Sequence, residues 1–195
     1  MAFLPRLLAG LCSVQVAAAG AGQAAEPVRL EVKSPAVSDA GELALNFTAY
    51  GRSISPPISW SAGPARTKSY AIVVEDPDSR FPKPGVQWLV YNIPAGTTSL
   101  PHSLTALGEP KRMGGLLQGV NSHDGVGWAG PHPDAGEPAH HYHFTVFAVD
   151  RRLDLPPKAE RLEVLAALKG HVLAQGELVA SFQAPPRKRF TEDQP

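Results

Sequence analysis

The chain reads as a mainly β protein, a sandwich of short strands with one helix, and three observations predict it. Its 20 prolines and 18 glycines in 195 residues put turn signals at close spacing, as a fold of short strands requires. Between the turns lie segments that alternate apolar and polar side chains or run apolar throughout, the signatures of half-buried and fully buried strands. Only the stretch after Pro156-Pro157 carries apolar residues at helical spacing. At 43% hydrophobic, a chain of this length can bury one good core and is short for two.

The N-terminal segment, residues 1–25, stands apart from the rest. Arg6 is its only charge before Glu26, and residues 7–21 are almost wholly apolar or small, which is a secretory signal pattern. The mature chain is expected to begin at Ala25 or Glu26, as one domain over residues 26–185 with a polar tail at 186–195. The apolar run is too short for a comfortable membrane span, so no stable transmembrane anchor is expected and the location is periplasmic or secreted. Cys12 is the only cysteine; Leu11 stands before it, where a lipidated cysteine follows a small residue. The exported domain would have no disulfide and must rely on its core. Lys+Arg and Asp+Glu balance at 18 each, which argues against general attraction to nucleic acid or an anionic membrane.

Residues 28–32 alternate and predict a first strand, and residues 43–47 a second. Ile54-Ser55-Pro56-Pro57 is extended and proline-stiffened, leading to Trp60 as a core aromatic. Residues 68–74 and 86–93 are apolar enough to be buried on both faces and are expected to pair in a central sheet. Between them Asp76-Pro77-Asp78 makes a turn, or one wall of a pocket. Residues 101–136 are glycine-rich without periodicity, and a loop of that length is usually functional or irregular. Residues 143–150 return as a strand. Pro156-Pro157 is expected to open a helix of about 18 residues, with Leu162, Leu165, Leu168 and Val172 on its buried stripe. Gly176 would end it, and residues 177–182 form a last strand. Arg187-Lys188-Arg189 reads as a solvated terminus.

Several of these segments form an ordered series. Ile54-Ser55-Pro56-Pro57 with Trp60, Asp76-Pro77-Asp78, and Trp88-Leu89-Val90-Tyr91-Asn92-Ile93-Pro94 come first. Gly119-Val120-Asn121 through Gly127-Trp128-Ala129-Gly130-Pro131, His140-His141-Tyr142-His143-Phe144 and His171-Val172-Leu173-Ala174-Gln175-Gly176-Glu177-Leu178 follow. Over residues 43–182 the chain resembles the phosphatidylethanolamine-binding protein family, also called Raf kinase inhibitor proteins, and in particular its bacterial YbhB/YbcL-type branch. The resemblance implies a central antiparallel sheet, a smaller sheet on one side and a C-terminal helix on the other. It also implies a shallow anion-binding cavity at one end of the central sheet.

Carried over residue by residue, the resemblance places Asp76, Asp78, Pro133, His140 and Tyr142 at that cavity. Gln87 stands where the family usually has a histidine, and His141 where it usually has an arginine. In a strand His140 and Tyr142 share a face, with His141 and His143 on the other. His140 and Tyr142 are expected to hold phosphate oxygens, with Gln87 donating through its amide. A carboxylate beside an imidazole fixes its tautomer, so Asp76 is read as the orienter of His140 rather than a ligand contact. Main-chain amides of residues 125–130 are expected to add donors as a backbone nest. A pure turn role for Asp76 and Asp78, and an ordinary core role for Tyr142, are the competing readings.

The function expected is non-enzymatic binding of a small anionic or phosphorylated ligand, such as phosphate or a phospholipid headgroup, with no cofactor and no metal. Two alternatives stay open. One is a protein inhibitor of a hydrolase or kinase that uses the same pocket surface. The other is a metal-dependent enzyme built on the histidine-rich region, with His141 and His143 joined by His123, His132 or Asp134. Relatives also raise a homodimer, for which no residue here argues.

Overall fold

Apolar runs such as residues 69–76 and 85–94 persist as strands only where both faces are covered. The computed structural model describes residues 28–80, 82–104 and 114–186. In it these runs pair antiparallel as β4 (Ser69–Asp76) and β5 (Gly85–Pro94). They share a six-stranded sheet with β1 (Val28–Arg29), β7 (Leu117–Gln118), β8 (His140–Val149) and β9 (Val172–Phe182), in the order β1-β9-β8-β4-β5-β7. Every pair is antiparallel except the edge pair β1 and β9. A second sheet joins β2 (Val32–Lys33), β3 (Ile58–Trp60) and β6 (Ser99–Leu100).

Period-two alternation divides the buried side chains between two cores. Tyr70, Ile72, Val74, Trp88, Tyr142, Phe144 and Val146 meet Val32, Ile58, Trp60 and Leu100 between the sheets. Ala71, Val73, Leu89 and Tyr91 face the other way, onto Val164 and Leu168 of α1 (Arg161–Leu168). The large sheet therefore lies between the small sheet and the helix, as the family resemblance implies. The segment 1–25 and the run Arg187-Lys188-Arg189 lie outside the described residues.

Three elements differ from expectation. Residues 28–32 are not one strand: β1 pairs with β9 in the large sheet, and β2 pairs with β3 in the small one. Alternation marks inner and outer faces but not which sheet supplies the partner. Residues 43–47 form a 3-10 turn over Leu45–Phe47, because Phe47 and Thr48 donate back to the carbonyls of Ala44 and Leu45. The helix has 8 residues instead of a long run from Pro156. The Tyr91 hydroxyl donates to the carbonyl of Pro156 and accepts from the amide of Ala159, which holds that approach irregular. A reciprocal cap between Glu160 and Glu163 starts α1, and Gly170 at φ +81° follows its end. Leu162 is 71% exposed, and Val172 and Gly176 belong to β9.

Gly176 has a strand role instead. A Cβ there would sit 2.1 Å from the carbonyl oxygen of Leu30, so the chain around β1 can lie against β9 only over a glycine.

Candidate functional site

The ends of β4, β5 and β8 meet at a cavity of about 300 Å³, lined by Asp76, Gln87, Pro133, Glu137 and His140 among others. Asp76 closes β4, and its side chain carries two loads. Oδ1 accepts the amides of Asp78 at 2.9 Å and Ser79 at 3.0 Å, which folds the Asp-Pro-Asp turn. Oδ2 lies 2.8 Å from Nδ1 of His140, and both side chains are buried. The carboxylate thus holds the proton on Nδ1 and leaves Nε2 as the other working nitrogen of the imidazole.

Gln87 reaches the cavity through a break in the ladder. Val74 pairs with Trp88 and Glu75 with Val86, so β5 spends two residues where β4 spends one, and Gln87 is the extra residue. A bulge of this kind re-aims a side chain. Gln87 is buried beside the cavity and its Oε1 has no hydrogen-bond partner among the described residues. A second register shift lies opposite Asn92, whose φ is +58° and whose side chain exchanges two hydrogen bonds with the backbone of Leu153.

Pro133 sits on the rim, where the Tyr50 hydroxyl donates to its carbonyl at 2.6 Å and the Tyr50 ring stacks on His132. Asp78 and Tyr142 do not line the cavity. Asp78 turns to the other side, where Oδ2 accepts both the amide and Nδ1 of His141 at 2.9 and 2.8 Å. The bond from the His141 ring leads in holding the Asp78 carboxyl below its ordinary range. Tyr142 lies beneath, its ring stacked 6.5 Å from that of His140 and its hydroxyl buried near the Asp76 carboxylate, with no hydrogen bond of ordinary geometry among the described residues. Burial above all, then the nearby Asp76 and Asp78 carboxylates, push its phenol far above the usual range, so it is neutral at any ordinary pH.

The glycine-rich loop offers structure rather than free donors. Asn121 organises it: Oδ1 accepts the amides of His123 and Gly125, and Nδ2 donates to the carbonyl of Gly127. The amides of Gly127, Ala129 and Gly130 go to Gly119 O, Gln87 O and Ser53 Oγ. Four amides of the expected nest over residues 125–130 are therefore spent inside the protein, that of Ala129 on β5 and those of Gly125, Gly127 and Gly130 on Asn121, Gly119 and Ser53.

Arg80, Glu137, Ser122 and His132 also line the cavity; sequence reasoning named His132 only as a possible metal ligand and did not single out the other three. Arg80 follows the Asp-Pro-Asp turn by two residues, and that proximity was the available signal. Glu137 precedes His140 by three residues, so sequence proximity was the signal there as well. Arg80 Nη2 is 2.5 Å from Glu137 Oε1, and Glu137 Oε2 is 3.5 Å from His140 Nε2. With Arg80, His123, His132 and His140 against three carboxylates, the cavity can pair with a small anion only through local donors.

The histidines invoked for a metal do not converge. His141 is held by Asp78 and His143 by Glu177, away from the cavity that His123, His132 and Asp134 line. Among the described residues no group of three His, Cys, Asp or Glu side chains has the geometry to hold a metal ion.

Comparison with known proteins adds independent findings. The family model described as phosphatidylethanolamine-binding protein matches residues 33–183. A UPF0098 protein of Methanothermobacter thermautotrophicus is 35% identical over 154 residues, covering 79% of this chain and 99% of its own. A Mycobacterium tuberculosis protein named as lipoprotein LppC is 34% identical over 160 residues, covering 82% of this chain and 74% of its own. Among solved structures, E. coli YbcL superposes with a TM-score of 0.74 at 27% identity, over 81% of this chain and 100% of that one. A homolog from Chlamydia trachomatis, CT736, superposes with a TM-score of 0.70 at 27% identity, over 80% and 99%.

Proposed function

The chain belongs to the phosphatidylethanolamine-binding protein family, and on that premise we propose that it is an exported, non-catalytic protein that binds a small phosphate-bearing anion in the cavity at the ends of β4, β5 and β8. The observation that carries this reading is the buried Asp76–His140 pair. A carboxylate that fixes one imidazole nitrogen at 2.8 Å turns the other into an oriented partner at a concave polar surface. Arg80 and the Ser122 hydroxyl stand on the same wall as further donors to a tetrahedral anion. The bulge at Gln87 adds a neutral amide, so this corner supplies hydrogen bonding without charge.

Export is supported by the apolar N-terminal segment with its single Arg6 and by similarity to a protein named as a lipoprotein. Among the described residues no helix is long and apolar enough to cross a membrane.

Calorimetric titration with inorganic phosphate, phosphoethanolamine and a short-chain phospholipid tests the binding claim. Saturable heat is expected with at least one of them, together with a shift of the His140 ring resonances. His140→Ala should weaken that binding at least tenfold, the worth of about one charge-assisted hydrogen bond. Absence of heat and of any shift at His140 would end the proposal.

A further inference from the structure

The cavity already contains an anion of its own. Glu137 Oε1 lies 2.5 Å from Arg80 Nη2, Oε2 lies 3.5 Å from His140 Nε2, and Oε2 also accepts the amide of Asp134 at 2.9 Å. Its side chain is only 14% exposed, whereas that of Arg80 is 77% exposed. Asp76 occupies the other imidazole nitrogen, so Nε2 is the one that a ligand can reach, and Glu137 stands against it. A carboxylate placed between a guanidinium and an imidazole has the position that a phosphoryl oxygen would take.

The main chain of Glu137 is tied down independently. Its amide donates to Asp134 O at 3.1 Å, and its carbonyl accepts from Gln183 Nε2 at 2.9 Å. The side chain can therefore leave Arg80 and His140 by rotating at the cost of its bond from the Asp134 amide, while these main-chain bonds hold the turn.

From this geometry, and resting on the anion-binding reading above, we infer that Glu137 is the resident anion of the cavity and sets its affinity: a phosphoryl group binds by taking the Arg80 guanidinium and, in the imidazolium form of the ring, the His140 Nε2–H from it. A tethered carboxylate competes at the effective concentration its linkage imposes, so a weak anion is excluded unless it makes more of these contacts than Glu137 does. Arg80 then contributes little net affinity in the native protein, because ligand binding exchanges one ion pair for another.

The test is titration of inorganic phosphate and glycerophosphoethanolamine into the full chain and its Glu137→Gln, Arg80→Ala and double variants. Glutamine keeps the shape and still accepts the Asp134 amide but carries no charge. Glu137→Gln is expected to bind phosphate about tenfold tighter, and Arg80→Ala to cost several times more affinity in that background than in the native one. The two titrants distinguish free phosphate from a headgroup as the source of the phosphoryl group. Glu137→Asp, which retracts the charge by one methylene, should give a smaller gain and serves if the glutamine variant does not fold. Native protein that binds phosphate, with Glu137→Gln binding it equally or more weakly, would overturn this inference while leaving the binding reading intact. No binding by any folded variant would overturn both.

Discussion

Asp76 divides its two carboxylate oxygens between a turn and a histidine, so one side chain both folds the Asp-Pro-Asp turn and orients His140. Its neighbour Asp78 ties the start of β8 to the same turn through the His141 backbone and ring. Because the folded-state carboxyl of Asp78 lies below its ordinary value of 3.8, the contact favours folding at pH values above that figure. The contribution drains away as pH falls through the folded-state value. Urea unfolding of the native chain and Asp78→Asn should therefore differ most near neutrality and converge in strong acid; a gap that widens in acid would contradict the assignment. Tyr142 makes the opposite case, a buried hydroxyl near Asp76 that makes no hydrogen bond of ordinary geometry among the described residues, and a phenol that stays neutral. Tyr142→Phe is expected to leave stability unchanged or raise it by about 1 kcal/mol, where a bonded hydroxyl would cost that much to remove. Urea melts of the two proteins decide between these outcomes.

At the scale of elements, β5 does the most to shape the site. Its run of buried residues predicts a central strand, but the break at Gln87 is what turns a glutamine into the cavity, and the one near Asn92 is what lets β5 hold Leu153. β9 shows the converse, since a glycine that reads as a helix stop in sequence is a strand residue under Leu30. Gly176→Ala is expected to destabilise by about 1–3 kcal/mol, because the new Cβ meets backbone rather than a side chain that can move. Leu162→Ser on the exposed face of α1 is the control and should change stability by less than about 0.5 kcal/mol. Equal effects in denaturant melts would mean that the contact at Leu30 yields easily.

For the whole molecule, the two sheets share one core: Trp60 of the small sheet meets Tyr70 of the large one edge to face at 5.4 Å, in the same cluster as Trp88. Tryptophan fluorescence and far-UV circular dichroism are expected to report one coincident unfolding transition, and separate midpoints would show the small sheet melting by itself. The paired apolar strands were legible from the chain alone, and so was the strand at residues 143–150, which the structure extends back to His140. So was the link between Asp76 and His140 once the family resemblance was on the page. Hydrophobic period reports which face of an element is buried, and these assignments ask only that. The sequence determined by itself the β class and the central strands. Tertiary structure alone decided that residues 28–32 divide between two sheets, that the loop amides are spent internally, that Asp78 faces away, and that Glu137 stands between Arg80 and His140. Those outcomes depend on which distant backbone or charge comes within hydrogen-bonding reach, and no local pattern of residues encodes that distance.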